Sequence, residues 1–212
     1  MPYIDRVKVN GVEHAVVDDR LAGRNLLPNS REMQLAGTAS VATGTWRLAG
    51  TSNMSRSRVY IPDGPFGPCY GFQCSGTQTT TSDSSCYGID GWPTVNGGYY
   101  VLSLYARNLE GEGMAGPYCG ASGYGKALVG TNADGKWGTS DYQCIDLTSE
   151  WKQVWVSFRA TASNGNLYIG AGGTDAKIQM CCVKIESGGV PSPWTESPDD
   201  FSPSVSETTL SL

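Results

Sequence analysis

Flat aromatic rings set among glycines and small polar residues are the chemistry this chain offers most openly. They fall in three stretches: Tyr87-Gly88-Ile89-Asp90-Gly91-Trp92-Pro93, the Tyr118 and Tyr124 rings of GPYCGASGYG, and Lys136-Trp137-Gly138 followed by Tyr142. Such a ring can stack on the C–H face of a sugar while neighbouring carbonyl, amide and carboxylate groups bond its hydroxyls. Tyr87, Asp90, Trp92, Tyr124, Trp137 and Tyr142 are therefore the candidate glycan contacts. The same rings would also serve to plug the ends of a sandwich or an interface between subunits.

Catalysis has little to work with. The single histidine, His14, sits far from any nucleophile motif, and one histidine without such a motif does not make a triad. Asp83, Asp90, Asp134, Asp141 and Asp146 are spread through loops, and no spacing singles out a glycosidase acid and nucleophile. No catalytic residue is nominated, and a non-enzyme is expected. The seven cysteines, Cys69, Cys74, Cys86, Cys119, Cys144, Cys181 and Cys182, form neither a paired framework nor a CxxC…CxxC zinc pattern. They read as free, mostly buried thiols, with Cys181 and Cys182, as strand neighbours, facing opposite sides and unable to bridge. Asn132-Ala133-Asp134-Gly135 faintly resembles a calcium loop, but Gly130 would fill its first ligand position and Asp141 its twelfth. The turn reading is preferred, so no cofactor and no metal motif is assigned. A structural calcium would need oxygens converging from separate loops.

The elements that must hold these groups are strands. The 212 residues include 28 glycines and 11 prolines, and period-2 segments outnumber helical ones, which predicts one main all-β domain with little helix. A formal net charge of −5 without a basic patch argues against nucleic acid or an anionic membrane as partner. No apolar run is long enough to span a bilayer, and MPYIDRVKVNG is no secretory signal, so synthesis and folding in a cytosol are expected.

Asn10-Gly11 is a type I′ turn signal that pairs Val9 with Val12, Lys8 with Glu13, Val7 with His14 and Ile4 with Val17 in an N-terminal hairpin. Both of its faces carry apolar residues, and a lone ribbon is marginal in water, so it must pack on something. Strands are then expected over 45–48, 58–61, 69–74, 99–107, 116–122, 153–161, 166–171 and 177–186, with 75–85 a surface loop or edge hairpin. Phase places Tyr100, Leu102, Leu104 and Ala106, then Val154, Val156, Phe158 and Ala160, then Leu167, Ile169 and Ala171 on inward faces. In 177–186 the period slips once between Met180 and Val183, which calls for a β-bulge near Cys181 and Cys182. Beyond it, Pro191 and Pro193 would fold Trp194 back onto the sandwich as a buried lid.

Several of these stretches resemble a known family. Val183-Lys184-Ile185-Glu186-Ser187-Gly188 followed by Trp194-Thr195-Glu196-Ser197-Pro198-Asp199-Asp200 is similar to the closing strand and tail of phage and prophage fibre proteins that carry a carbohydrate-binding-module-like jelly roll. Arg24-Asn25-Leu26-Leu27-Pro28-Asn29-Ser30, the strand at 99–107 and the strand at 150–158 fit the same plan, and the opening resembles their N-terminal attachment segments. The resemblance implies a two-sheet antiparallel jelly-roll sandwich over 23–200, preceded by a hairpin at 1–22 for attachment or oligomerisation and followed by a tail at 201–212. It implies a virion protein assembled in the host cytoplasm as a homo-oligomer, a trimer. Its sandwich would bind glycans or a host surface, and its hairpin would meet other virion proteins. Two further readings stay open: a purely structural decoration protein of the same fold, and an accessory domain of a glycan-degrading enzyme.

Overall fold

One strand of 24 residues, Asn164–Ser187, is the axis of the molecule. The computed structural model describes residues 5–9, 12–16, 23–38, 40, 43–50, 52–78, 85–119, 145–160 and 163–198; side chains are described from residue 23 onward, apart from 85, 86, 118, 119 and 164. In chain order the strands are β1 (Asp5–Val9), β2 (Val12–Val16), β3 (Arg47–Leu48), β4 (Ser55–Ile61), β5 (Cys69–Gln78), β6 (Ser85–Pro93), β7 (Tyr99–Asn108), β8 (Glu112–Cys119), β9 (Ile145–Asp146), β10 (Lys152–Arg159) and β11 (Asn164–Ser187). No α-helix occurs among the described residues.

The first half of β11 pairs with β6 on one side and β8 on the other, and its second half pairs with β5 and β7. Extended outward, these pairings give two layers, β10-β7-β11-β5-β4 and β9-β8-β11-β6-β3, all antiparallel. The two layers share β11 because it bends. At the bend Gly173 has φ 145°, Asp175 has φ 48°, and the β5 register shifts between Gly173 and Ala176. A Cβ on Gly173 would lie 1.9 Å from the Glu112 carbonyl oxygen, so no other residue fits there without displacing β8. The result is a curled antiparallel jelly-roll sandwich.

The inner faces make one core. Phe72, Leu102, Leu104, Val154, Val156, Phe158, Ile178 and Met180 come from the first layer, and Tyr87, Ile89, Leu167, Ile169 and Ala171 from the second. All the inward sets expected from phase are buried. Strands occupy the described parts of the expected segments, with 166–171 and 177–186 fused into β11; 120–122 and 161 lie outside the described residues. Two strands were not expected: the short β9, and β6, which runs through the stretch at 87–93 that reads as a glycine-rich loop. Gly88 is there for room, since a Cβ would meet the Tyr168 ring at 2.7 Å, and Gly91 (φ 72°) accommodates an extra residue opposite β11.

The period slip in β11 is a bulge. Cys182 has φ 53°, and the register against β7 jumps between Cys181 and Lys184. Ile178 and Met180 before it, and Val183 and Ile185 after it, thereby all reach the same core. The bulge also corrects the expectation that Cys181 and Cys182 face opposite sides. Both pack in a second, smaller cluster with Ile61 and Cys69 on the outer face of the first layer, because the inserted residue turns Cys182 to the side that Cys181 already occupies.

The chain's two ends of the sandwich are stitched together there. Asn25 donates through Nδ2 to the carbonyls of Val183 (3.2 Å) and Thr195 (3.1 Å), and its Oδ1 accepts from the backbone N–H groups of Leu27 and Ile185. Trp194 donates to the Val183 carbonyl and packs over the small cysteine cluster as the expected lid, half-buried on the outer face with its ring against Phe66. The hairpin register of β1 and β2, Val9 to Val12, Lys8 to Glu13 and Val7 to His14, is the expected one. Ile4, Val17, the side chains of the hairpin and the tail at 201–212 lie outside the described residues.

Candidate functional site

On the outer face of the first layer, alternate residues of β4, β5, β11 and β7 point away from the core: Ser57, Gln73, Gln179 and Arg107 fall in one row across the strands. Strand alternation puts them there: Gln73, Gln179 and Arg107 each neighbour a buried core residue, Phe72, Ile178 or Met180, and Ala106, and Ser57 is paired with Gln73. Trp151, just ahead of β10, closes the row, with the Arg107 guanidinium 4.4 Å from its ring centroid.

The row is hydrogen-bonded along its length. Arg107 donates to Gln179 Oε1 through Nε (3.1 Å) and Nη2 (2.8 Å), and Gln179 Nε2 donates to Gln73 Oε1 (3.3 Å). Gln73 Nε2 reaches Ser75 Oγ at 3.5 Å. On the other side Arg107 holds both oxygens of Asp63 at 2.7 and 2.8 Å, and Trp151 Nε1 donates to the Asp63 carbonyl (2.9 Å). Hydrogen bonding by Arg107 holds the Asp63 carboxyl below the usual carboxylate range. These contacts fix the rotamers of an arginine, two glutamines and a tryptophan before any ligand arrives.

The rest of this face is covered. The run from Gly188 to Trp194 lies over Lys184 and Glu186: Ser192 Oγ donates to Glu186 Oε2 (2.7 Å), and Lys184 Nζ donates to Ser192 Oγ (2.5 Å) and the Pro193 carbonyl (3.0 Å). Phe66 and Trp194 cover the small cluster of Cys69, Cys181 and Cys182, with Phe66 also edge-on to Tyr105. What stays open is the polar half, where Ser57 is exposed and Gln73, Ser75, Arg107, Lys177 and Gln179 are half-buried.

The three described candidate contacts, Tyr87, Asp90 and Trp92, lie elsewhere. Tyr87 is fully buried, stacked on Phe72 with ring centroids 4.0 Å apart, and its hydroxyl donates to the Gln73 carbonyl at 2.9 Å. Trp92 is 3% exposed. Neither ring presents a face to solvent, so both are core residues: alternation along β6 turns Tyr87 inward, and the extra residue at Gly91 brings Trp92, five positions on, to the same side. Asp90 remains half-exposed but accepts from Arg47 Nε (2.5 Å) and Nη2 (2.8 Å), on the second layer. Tyr124, Trp137 and Tyr142 lie outside the described residues, as do Asp134, Asp141 and the calcium-like turn. Sequence reasoning missed Gln73, Gln179 and Asp63. The signal available for Arg107 was its place on the polar face of β7.

For metals, among the described residues only the three cysteines bring donor atoms together: Sγ of Cys69, Cys181 and Cys182 all lie within 4.8 Å of one another. Hydrogen bonds from Cys181 and then Cys182 pull the Cys69 thiol down, whereas the bond with Cys182, then that with Cys69, and burial push Cys181 up. Cys69 is the first of the three to ionise.

No protein-family model matches this chain, and no curated protein matches it. Solved structures do. The CBM22-1 and GH10 modules of endo-1,4-β-D-xylanase 10B from Clostridium thermocellum, complexed with xylohexaose, superpose with a TM-score of 0.51 at 16% identity, covering 79% of this chain and 29% of that one. The chain has the jelly-roll fold of carbohydrate-binding modules. The CBM22-1 xylan-binding domain of Paenibacillus barcinonensis Xyn10C matches over 80% of this chain and 97% of its own, at 11% identity and a TM-score of 0.49. The enzymatically active domain of bacteriophage CBA120 tailspike protein 4 matches over 81% of this chain and 22% of its own, at 12% identity and a TM-score of 0.46.

Proposed function

We propose that the chain is a non-catalytic glycan-binding module whose ligand lies along the Trp151–Arg107–Gln179–Gln73–Ser75 row. The observation that carries this reading is the row itself: side-chain amides, a guanidinium and a tryptophan, ordered by mutual hydrogen bonds on an open sheet face of a carbohydrate-binding-module fold. Gln73 keeps one amide N–H and one carbonyl lone pair, and Gln179 one amide N–H, that the bonds within the row do not use, which suits the hydroxyls of a sugar. From β5 to β10 the row crosses three inter-strand gaps, roughly 14 Å at ~4.8 Å each, the length of a short oligosaccharide. The xylan and xylohexaose named for two of the structural neighbours make a neutral, extended polysaccharide the first class to test.

In the same reading the module is displayed on a virion, as a fibre or decoration protein, and the N-terminal hairpin attaches it there or joins subunits, most simply in a trimer. What supports this is the resemblance of residues 183–188, residues 194–200 and the N-terminal opening to phage fibre proteins.

Affinity electrophoresis of the full chain through gels containing xylan, mixed-linkage glucan, mannan or galactan tests the binding. Retardation in at least one gel is expected, and unchanged mobility in all of them, together with a blank glycan array, overturns the reading.

A further inference from the structure

We propose that Cys69, Cys181 and Cys182 form a three-thiolate zinc site beneath the Phe66–Trp194 cover. Three independent features place the sulfurs together. Cys69 opens β5, Cys181 lies opposite Gly71 two residues along that strand, and the bulge at Cys182 brings a third sulfur to the same side. Without the bulge, Cys182 would point into the main core.

The geometry is close to what zinc requires. Tetrahedral coordination at about 2.3 Å per Zn–S bond separates the sulfurs by ~3.8 Å, so groups already within 4.8 Å of one another need to close by at most roughly 1 Å. Beside Cys69 and Cys182 lies a cavity of about 50 Å³, also lined by Arg31, Phe66, Gly67, Pro68, Trp194 and Glu196. About 10–15 Å³ of such space is enough for one water, so the cavity has room for a water as fourth ligand. Binding releases the thiol protons to the buffer and leaves a zinc–thiolate unit of net charge −1, next to the Arg31 guanidinium. Three converging thiols suit a soft cation better than a disulfide, which would leave one sulfur over. The ion would tie the start of β5 to the β11 bulge, and so brace the 62–68 segment that carries Asp63 to the polar row.

The test is cobalt(II) titration of the reduced, metal-free full chain, followed by displacement with zinc. The expected result is one cobalt per chain, with thiolate-to-cobalt bands in the near ultraviolet that zinc abolishes. Cys69→Ser and Cys182→Ser lose the bands, and Cys74→Ala, a buried cysteine outside the cluster, keeps them. Wild-type protein supplies a readout that does not depend on the variants folding: zinc protects Cys69, which lines the cavity, from iodoacetamide, as read by peptide mapping. The proposal is overturned by absence of the bands, by bands that persist in a folded Cys69→Ser chain, or by equal alkylation of Cys69 with and without zinc.

Discussion

Lys184 Nζ lies 3.2 Å from Glu186 Oε2, with both side chains almost wholly withdrawn from solvent. The two residues stand on the outer face of β11 just past the bulge, and the Gly188–Trp194 run closes over them through Ser192. A buried pair of this kind adds little over a well-packed apolar pair, but removing one partner strands the other's charge. Its role is to specify where the closing run lies.

Glu186→Ala is therefore expected to cost about 3–5 kcal/mol by leaving Lys184 buried and unpaired, while the double variant Lys184→Met/Glu186→Leu recovers most of that loss. Urea unfolding of the three proteins checks it. Equal losses for the single and double variants would show that the pair contributes only its packing.

At the bend of β11, Gly173→Ala forces a side chain onto φ 145° and into the Glu112 carbonyl. The backbone strain alone is about 1–3 kcal/mol, and the overlap adds to it. Thermal unfolding should show a large drop in Tm, whereas Gly189→Ala, in open space, should stay near wild type.

Trp194 and Trp46 should separate clearly. Trp46 is fully enclosed against Phe72, and its replacement by Ala falls in the ~3–5 kcal/mol range of core aromatics. Trp194 is half-buried over Phe66, so Trp194→Ala should cost distinctly less. Denaturant melts of both variants, compared at matched slope, decide it.

Much of the framework was legible because a period of 2 reports burial directly: the inward sets on β7, β10 and β11 and the bulge near Cys182 all follow from which positions are apolar. The site was not legible, for two physical reasons. Glycines mark loops and also mark strand positions where a neighbour's ring needs room, and Gly88 beneath Tyr168 is the second kind, so Tyr87 and Trp92 looked exposed when they are core. Gln73, Gln179 and Arg107, in turn, lie far apart in the chain and form a row only through the register of β5, β11 and β7.

Acid should loosen the segment that carries Asp63. Its pKa is lowered in the folded chain by Arg107, so its contribution is complete above the unfolded value of ~3.9 and is lost as pH falls through the folded value. Trp151, bonded to the Asp63 carbonyl, supplies the fluorescence signal, and Asp63→Asn should remove the acid transition from it.

The central claim, that the open row on the first layer binds glycan, is tested most directly by calorimetric titration of a retained polysaccharide into wild type, Gln179→Ala, Trp151→Ala and Tyr60→Ala. Tyr60 is exposed on the opposite face of the same layer and is the control. The account predicts that Gln179→Ala and Trp151→Ala each weaken binding at least about tenfold, ~1.4 kcal/mol, with the melting temperature little changed and Tyr60→Ala binding as wild type does. Undiminished affinity in both row variants, or loss in Tyr60→Ala alone, would contradict it.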